Sequence, residues 1–191
     1  MSAHLLASEA VRTRRLLLRL AQREDAAAIA AVLSDHEVAR MLARVPQPYH
    51  LQDARDWLAS LAGRSTDDHV AIVRDGILIG MIGLHGESER VRLGYWLSRD
   101  HWGQGLASEA LVAVLRLRFD AAPGPIRSGV FADNAASLRV QEKLGFRVVG
   151  RDEIFSLGRN SMVDHIETEL IASDFHRVQR ERQSSEVGAP A

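Results

Sequence analysis

The chain contains no cysteine in its 191 residues. This absence excludes disulfide bonds, zinc sites built from thiolates and covalent catalysis through a thiol. Long apolar runs are missing as well: the first residues lack the core of a signal peptide, and no segment approaches the roughly 20 apolar residues of a membrane helix. We therefore expect a cytoplasmic protein that does not bind a membrane.

A large excess of charge of either sign is also absent. The 24 basic and 25 acidic residues give a net charge of −1, so no strong overall field attracts nucleic acid. Hydrophobic residues make up 46% of the chain, which together with its length predicts one globular domain. We place that domain at residues 13–176, after a flexible lead over 1–12. The polar tail over 177–191 is expected to be disordered.

Hydrophobic periodicity predicts the order of the secondary structure elements. Alternating apolar residues predict a strand at 14–20, and apolar segments bounded by turn residues predict strands at 69–74, 77–85, 91–98, 126–131, 148–156 and 162–170. Apolar stripes with helical spacing predict helices at 24–33, 51–61, 106–120 and 135–144. The resulting order, β-α-α-β-β-β-α-β-α-β-β, contains one βαβ unit, so we expect an α+β fold with a mixed sheet.

The βαβ unit contains a glycine-rich connection at residues 101–107, which we call the glycine loop. Free amides at the start of a helix carry the positive end of its dipole and can bind a pyrophosphate. Gly103 and Gly105 would let the backbone approach the phosphates closely, although a tight turn without a ligand also explains them. No Lys-Ser/Thr pair follows, which excludes a Walker loop, and Phe131 ends the next strand where a dinucleotide site needs an acid.

Two motifs in this part of the chain resemble the acyl-CoA motif of the GNAT superfamily. The first is LGYWL at 93–97 with WGQGLASEA at 102–110, and the second is NAAS at 134–137 with EKLGF at 142–146. They are most similar to the subgroup of ribosomal-protein N-terminal acetyltransferases, and the similarity extends from about residue 14 to residue 175. The resemblance implies a mostly antiparallel central sheet of about seven strands with helices on both faces. It also implies acetyl-CoA as cosubstrate and no metal.

The resemblance assigns roles to individual positions. The strand ending at Trp96, Leu97 and Ser98 would pair with the pantetheine arm and polarise the thioester carbonyl. The pyrophosphate would be bound by the amides of Gly103, Gln104, Gly105, Leu106 and Ala107. Asn134 would hydrogen-bond the pantetheine, act as a plain helix cap, or do both. Lys143 would lie near the 3′-phosphate or be a solvated helix charge.

The chain departs from the family at two positions that bear on chemistry. Asp100 stands where the broader pattern has arginine or glutamine, and Gln141 stands where many relatives have the tyrosine that protonates the leaving thiolate. Ser137, one helical turn before Gln141, is the best replacement, with Tyr95 or a water as the alternatives. Without a cysteine, direct attack by the amine in a ternary complex is favoured over an acyl-enzyme.

The general base is less clear, because the strand at 91–98 has no carboxylate where several relatives carry one. Glu153, His85 and a water chain are the candidates. Deprotonating a lysine amine at pH 7 costs about 3.5 kcal/mol more than deprotonating an α-amine, so a site without a strong base favours a peptide N-terminus or another weakly basic amine.

Other functions remain open on the sequence. A non-catalytic acyl-CoA sensor would share the fold, a transferase could use succinyl-CoA, and a structural protein could carry the glycine turn by accident. The protein is expected to be a monomer or a homodimer that acts on a peptide N-terminus or a small-molecule amine.

Overall fold

A single mixed sheet organises the protein in a computed structural model that describes residues 10–61, 68–86 and 91–187. Its strands are β1 (Val11–Arg12), β2 (Leu17–Leu20), β3 (Asp68–Arg74), β4 (Ile77–His85), β5 (Val91–Leu97), β6 (Ile126–Phe131), β7 (Arg147–Ser156) and β8 (Ser161–Leu170). The helices are α1 (Ala26–Leu33), α2 (His36–Ala39), α3 (Leu51–Ser60), α4 (Leu106–Ala121), α5 (Ala135–Leu144) and α6 (Ala172–Val187). None of the helices in these ranges is long and apolar enough to span a lipid bilayer.

The strands lie in the order β1-β2-β3-β4-β5-β6-β8-β7. Neighbouring strands are antiparallel throughout, except for the parallel pair β5 and β6. Helix α4 connects these two strands, so β5, α4 and β6 form the predicted βαβ unit. The glycine loop therefore lies at the carboxyl end of β5, near the centre of the sheet.

Each face of the sheet has its own hydrophobic core. Residues of α4, α5 and α6, including Leu111, Leu144 and Phe175, pack on one face, which we call the CoA face because it bears the glycine loop and its helix. Residues of α1 and α3, including Ile29 and Ala54, pack on the other, which we call the open face. Helices on both faces of a mixed, mostly antiparallel sheet confirm the predicted fold class.

Two terminal segments differ from the sequence-based expectation. Val11 and Arg12 were expected in a flexible lead, but they pair with Leu18 and Leu17 as β1, a strand too short to show periodicity. The expectation of a disordered tail is wrong for residues 177–187, which belong to α6. Helix-forming residues, an Arg177–Glu181 contact of 3.1 Å and the fully buried Phe175 at its start stabilise it. Residues 1–9 and 188–191 lie outside the described ranges.

Candidate active site

The glycine loop has the backbone geometry of an anion site. Gly103 and Gly105 have φ angles of 71° and 73°, a left-handed conformation that side chains other than glycine rarely adopt. Gly105 is the N-cap of α4 and provides no side-chain cap. The first amides of this 16-residue helix therefore have no acceptor within the helix and carry the positive end of its dipole. A pyrophosphate would satisfy both the amides and the dipole.

Side chains hold this loop in place. The Trp102 indole donates to the carbonyl oxygen of Leu97 at 2.9 Å, at the point where β5 ends. The side-chain amide of Gln104 donates to the carbonyl oxygen of Asp100 at 2.9 Å, while its oxygen accepts from Arg74 at 2.9 Å. The side chain of Gln104 thus stabilises the loop, and its backbone N–H group remains available for a ligand.

A polar cluster anchors the start of α4 to the β1–β2 turn. Glu109 accepts hydrogen bonds from the Thr13 hydroxyl at 2.6 Å, the Arg15 amide at 2.8 Å and the Arg15 guanidinium at 2.7 Å. A second guanidinium nitrogen of Arg15 donates to the Gln104 carbonyl at 2.9 Å. The cluster thus holds the guanidinium group of Arg15 beside the glycine loop.

Glu109 makes stability depend on pH. Burial opposes ionisation of its carboxyl group, but the hydrogen bonds from Thr13 and Arg15 outweigh burial and lower its pKa. A lowered carboxyl pKa adds stability above the ordinary glutamate value and loses it as the pH falls through the folded value. We expect Glu109→Gln to reduce the free energy of unfolding at pH 7 by about 1.5–3 kcal/mol. The difference between the two proteins should shrink as the pH falls below the ordinary glutamate value and through the lowered folded value.

Urea unfolding at pH 7 and pH 3 measures this difference. The control is Glu181→Gln, which removes an exposed contact to Arg177 and should change stability by less than about 0.5 kcal/mol. An equal loss from Glu109→Gln at both pH values would show that the carboxylate charge does not matter.

A wedge-shaped opening lies between the two parallel strands. Their pairing ends at Leu93 and Ser128. Beyond this point β5 stays paired with β4 as far as Leu97, and β6 stays paired with β8 as far as Phe131. Residues 94–97 and 129–131 therefore diverge, and we call the opening between them the split. Apart from the Leu97 carbonyl, which accepts from the Trp102 indole, backbone groups of residues 94–97 that face the split can pair with a ligand that lies along β5.

Buried hydrogen bonds hold the narrow end of the split. The Ser128 hydroxyl donates to the Leu93 carbonyl at 2.9 Å and accepts from the Gln141 amide at 2.9 Å. The Gln141 oxygen in turn accepts from Thr168 at 2.7 Å. Gln141 is only 1% exposed. The residue at the family's tyrosine position is thus a structural link between α5, β6 and β8.

A phenol reaches the split from β5 instead. The Tyr95 hydroxyl lies 2.7 Å from the Ser137 hydroxyl and 3.2 Å from the Ser137 carbonyl oxygen, on the CoA face. Burial raises the pKa of Tyr95 to about 12, so the phenol keeps its proton over the working range of pH. Asn134 begins α5 and accepts from the Ser137 amide at 3.0 Å, so it is a helix cap.

Three glycines form a row across the open face at the start of the split. Gly83 on β4 is the cross-strand partner of Gly94 on β5. Gly94 and Gly129 are the first residues of β5 and β6 beyond their last paired residues. Gly94 is exposed, and a Cβ added there would have no atom within 4 Å. Gly94, the middle member of this glycine row, leaves the backbone of β5 accessible to a second reactant on the open face.

Imidazole rings cover the two end members of the glycine row. The exposed His85 lies over Gly83, with its Nε2 2.6 Å from where a Cβ would be, and its ring centroid is 4.8 Å from that of His69. His165 on β8 lies over Gly129, and its Nδ1 is 2.8 Å from Asp152 on β7. The sequence argument did not identify His165. Its signal is the cross-strand pairing of Asp152 with His165, which requires the register of the β7–β8 hairpin.

The other residues predicted for the site lie on β5, β7 and α5 and in the segment that follows β5. Glu153 is exposed on the edge strand β7, and strand alternation points it to the face opposite Asp152. Lys143 is exposed in the last turn of α5. Trp96 packs beside the α1–α3 core, Leu97 is buried, and the Ser98 hydroxyl lies 2.7 Å from Nδ1 of His101. The structure thus brings together Tyr95 and Ser137, but it separates Glu153 from them.

Known proteins share both sequence and fold with this chain. The acetyltransferase (GNAT) domain family matches residues 15–147. The uncharacterized N-acetyltransferase YoaA of Bacillus subtilis is 34% identical over 150 residues, which cover 72% of this chain and 82% of YoaA.

Solved structures extend the similarity to the whole fold. The ribosomal-protein-S5-alanine acetyltransferase of Vibrio fischeri has a TM-score of 0.73 at 20% identity, covering 88% of this chain and 99% of that one. RimJ of Mycobacterium smegmatis, solved with CoA-disulfide, has a TM-score of 0.73 at 20% identity, covering 91% of this chain and 94% of RimJ. The chain therefore belongs to the GNAT acetyltransferases and is an acyl-CoA-dependent N-acetyltransferase.

Proposed function

We propose that this enzyme transfers an acetyl group from acetyl-CoA to a weakly basic primary amine by direct attack within a ternary complex. The observation that carries the proposal is the split, which has an anion-binding loop and a protonated phenol on one face of the sheet and the exposed Gly94 on the other. Two reactants can therefore meet between β5 and β6 from opposite faces. The absence of cysteine excludes a thiol acyl-enzyme.

The residues around the split fit the cosubstrate. The unpaired amides of Gly103, Gln104, Gly105, Leu106 and Ala107 suit a pyrophosphate, and Arg15 adds a charge within reach of the same loop. A Cβ on Gly105 would lie 3.7 Å from a guanidinium nitrogen of Arg15. The edge of β5 facing the split suits an extended amide chain such as pantetheine. Asn134 and Lys143 lie at the two ends of α5. We propose that both contact the cosubstrate.

Tyr95 is the proposed proton donor to the departing sulfur, and Ser137 shares its hydrogen bond. The phenol lies at the split on the CoA face, and its raised pKa keeps it in the protonated form that donation needs. Ser137 can hold the phenol in position and return a proton to it. This arrangement replaces the tyrosine that Gln141 displaces from the family's usual position on the helix.

A peptide N-terminus or a small amine of similar basicity is the proposed acceptor. The groups that line the glycine row are imidazoles, which accept protons near neutral pH and suit an α-amine better than a lysine side chain. An extended peptide could lie over β5 at Gly94, because this glycine is exposed and has no side chain. One structural neighbour is named a ribosomal-protein-S5-alanine acetyltransferase, which agrees with this acceptor class.

The test is CoA release with a panel of amines. The panel includes peptides with free N-termini, the same peptides with blocked N-termini and one internal lysine, and small amines of graded basicity. Acetyl-CoA and succinyl-CoA are run as parallel donors. We expect turnover with acetyl-CoA and free α-amines at least ten-fold faster than with lysine side chains. CoA binding without turnover of any amine would instead identify a sensor, and faster turnover with succinyl-CoA would change the donor.

A further inference from the structure

We propose that Nε2 of His165 accepts the proton of the acceptor amine and that Asp152 is the residue that positions its ring. This inference rests on the proposed function and names a base that the sequence did not suggest. His165 is 7% exposed, and its Nδ1 lies 2.8 Å from a carboxylate oxygen of Asp152. A carboxylate at Nδ1 fixes the proton on that nitrogen and leaves the lone pair on Nε2.

The sheet is built to bring this ring to the split. An added Cβ on Gly129 would overlap the His165 imidazole at Nε2 and Cε1, so only glycine at this position lets the ring lie across β6. Gly129 is also the first residue of β6 that no longer pairs with β5. Nε2 therefore lies at the mouth of the split on the open face, while Tyr95 and Ser137 lie on the CoA face. A base and an acid on opposite faces suit an amine that attacks the carbonyl carbon from one side and a thiolate that leaves on the other.

The charged groups around His165 support a defined orientation of its ring. On its own strand, Glu167 is paired with Arg92 of β5 at 3.0 Å. From β7, Asp152 is half exposed and contacts the ring. From β6, Phe131 meets the ring edge-on, and behind it Arg159 makes two hydrogen bonds with Asp133 at 2.8 and 2.9 Å. The Glu167 carboxylate also lies within 4.8 Å of the ring, but it is paired with Arg92, and Asp152 is the carboxylate that hydrogen-bonds the ring and orients it.

His165 fits this role better than the bases suggested by the sequence. Glu153 faces away from the open face on the edge strand. His85 lies over Gly83 on β4, one strand away from the split, and belongs to the ring cluster with His69 and Trp57. Of the described imidazoles, His165 is the one whose ring covers a residue that lines the split.

The proton balance of the step uses both faces. An ammonium group loses two protons when it becomes an amide. The first passes to Nε2 of His165 and then to solvent, which frees the nitrogen lone pair to bond with the acetyl carbonyl carbon. The second also passes to Nε2 of His165 and on to solvent, while the Tyr95 phenol gives its proton to the sulfur as the carbon–sulfur bond breaks and regains one from solvent through Ser137. The net products are the amide, CoA and one released proton.

The activity test compares histidine variants in the full-length enzyme. We expect His165→Gln to lower kcat at least about 100-fold while the Kd for CoA stays within three-fold of wild type. His165→Ala should regain at least ten-fold in kcat with added imidazole, which a purely structural role would not produce. Gly129→Ala should lower kcat like His165→Gln, because it displaces the ring. His176→Gln, a half-buried histidine on α6, is the matched control and should keep wild-type kcat.

A spectroscopic readout tests the ring without turnover. Long-range ¹H–¹⁵N spectra should show a proton on Nδ1 of His165, and Asp152→Asn should shift both ring nitrogens. Full activity in His165→Gln, a loss confined to His85→Gln, or inactivation by EDTA through the cluster of Asp152, His165 and Glu167 would each overturn the inference. Wild-type enzyme inert toward every amine would instead defeat the proposed function.

Discussion

Gly105→Val should lower the affinity for CoA at least about ten-fold. The left-handed φ of Gly105 places it at the N-cap of α4, where its amide and those that follow face the proposed pyrophosphate. A branched side chain there strains the backbone and fills the space that a phosphate oxygen would occupy. Isothermal calorimetry with CoA measures the change, and the melting temperature is recorded in parallel because the same substitution destabilises the fold.

The matched control for backbone strain is Gly76→Val in the β3–β4 turn. Gly76 has a φ of 81°, and a Cβ there would have no atom within 4 Å, so the strain is similar and no ligand is nearby. We expect a similar fall in melting temperature and an unchanged Kd for CoA. Gln104→Ala removes only the side-chain brace and should change the Kd by a few-fold. Equal losses of affinity from Gly105→Val and Gln104→Ala would contradict binding by the loop amides.

The sequence predicted those parts of the protein in which neighbouring residues carry the signal. The apolar runs of β3 and β4 and the helical stripe of α3 are local patterns, so the fold class could be derived from them. The glycine loop is equally local, because Gly103 and Gly105 directly precede the apolar stripe of α4. The two motifs then added a known fold to this order of elements.

Contacts between distant residues could not be predicted in the same way. Arg15 reaches Glu109 across 94 positions of sequence. Tyr95 was considered only as an alternative donor because nothing in the sequence shows that its hydroxyl meets Ser137, 42 positions later. These pairs depend on which strands are adjacent and on which face each side chain lies. Periodicity fixes the alternation along one strand but not the register between two strands.

Gly129 shows how a local signal can be present and still be misread. A glycine inside an apolar strand weakens it and often marks a close approach by another group. In the sequence, Ile126–Phe131 reads as a plain short strand, and the glycine in it carries no assignment. The structure gives the reason for the glycine, which is the His165 ring that crosses the strand. Because β5 lacks a carboxylate, the sequence suggests Glu153 and His85 as bases. The contact between the His165 ring and Gly129 depends on strand register, which the sequence does not show.

The largest loss of kcat on the CoA face is expected from Tyr95→Phe. Removing a general acid acts in the transition state, so kcat and kcat/KM for acetyl-CoA should fall together by about 100-fold. Binding of CoA should change less than three-fold, because the ring and the β5 backbone remain. Since the pKa of Tyr95 is about 12, the donor stays protonated in wild type, and the size of the loss should not depend on pH between 7 and 9.

Ser137→Ala separates the two hydroxyls of this pair. If Tyr95 is the donor and Ser137 orients it, the serine variant should lose about ten-fold in kcat, and the double variant should lose no more than Tyr95→Phe alone, because residues that act as a unit are not additive. Steady-state kinetics on the best amine of the panel, with calorimetry for CoA binding, provides all four numbers of the cycle. A large loss in Ser137→Ala with full activity in Tyr95→Phe would make the serine the donor. Undiminished kcat in both variants would make water the proton donor, and Tyr95 would then have only a packing role beside the split.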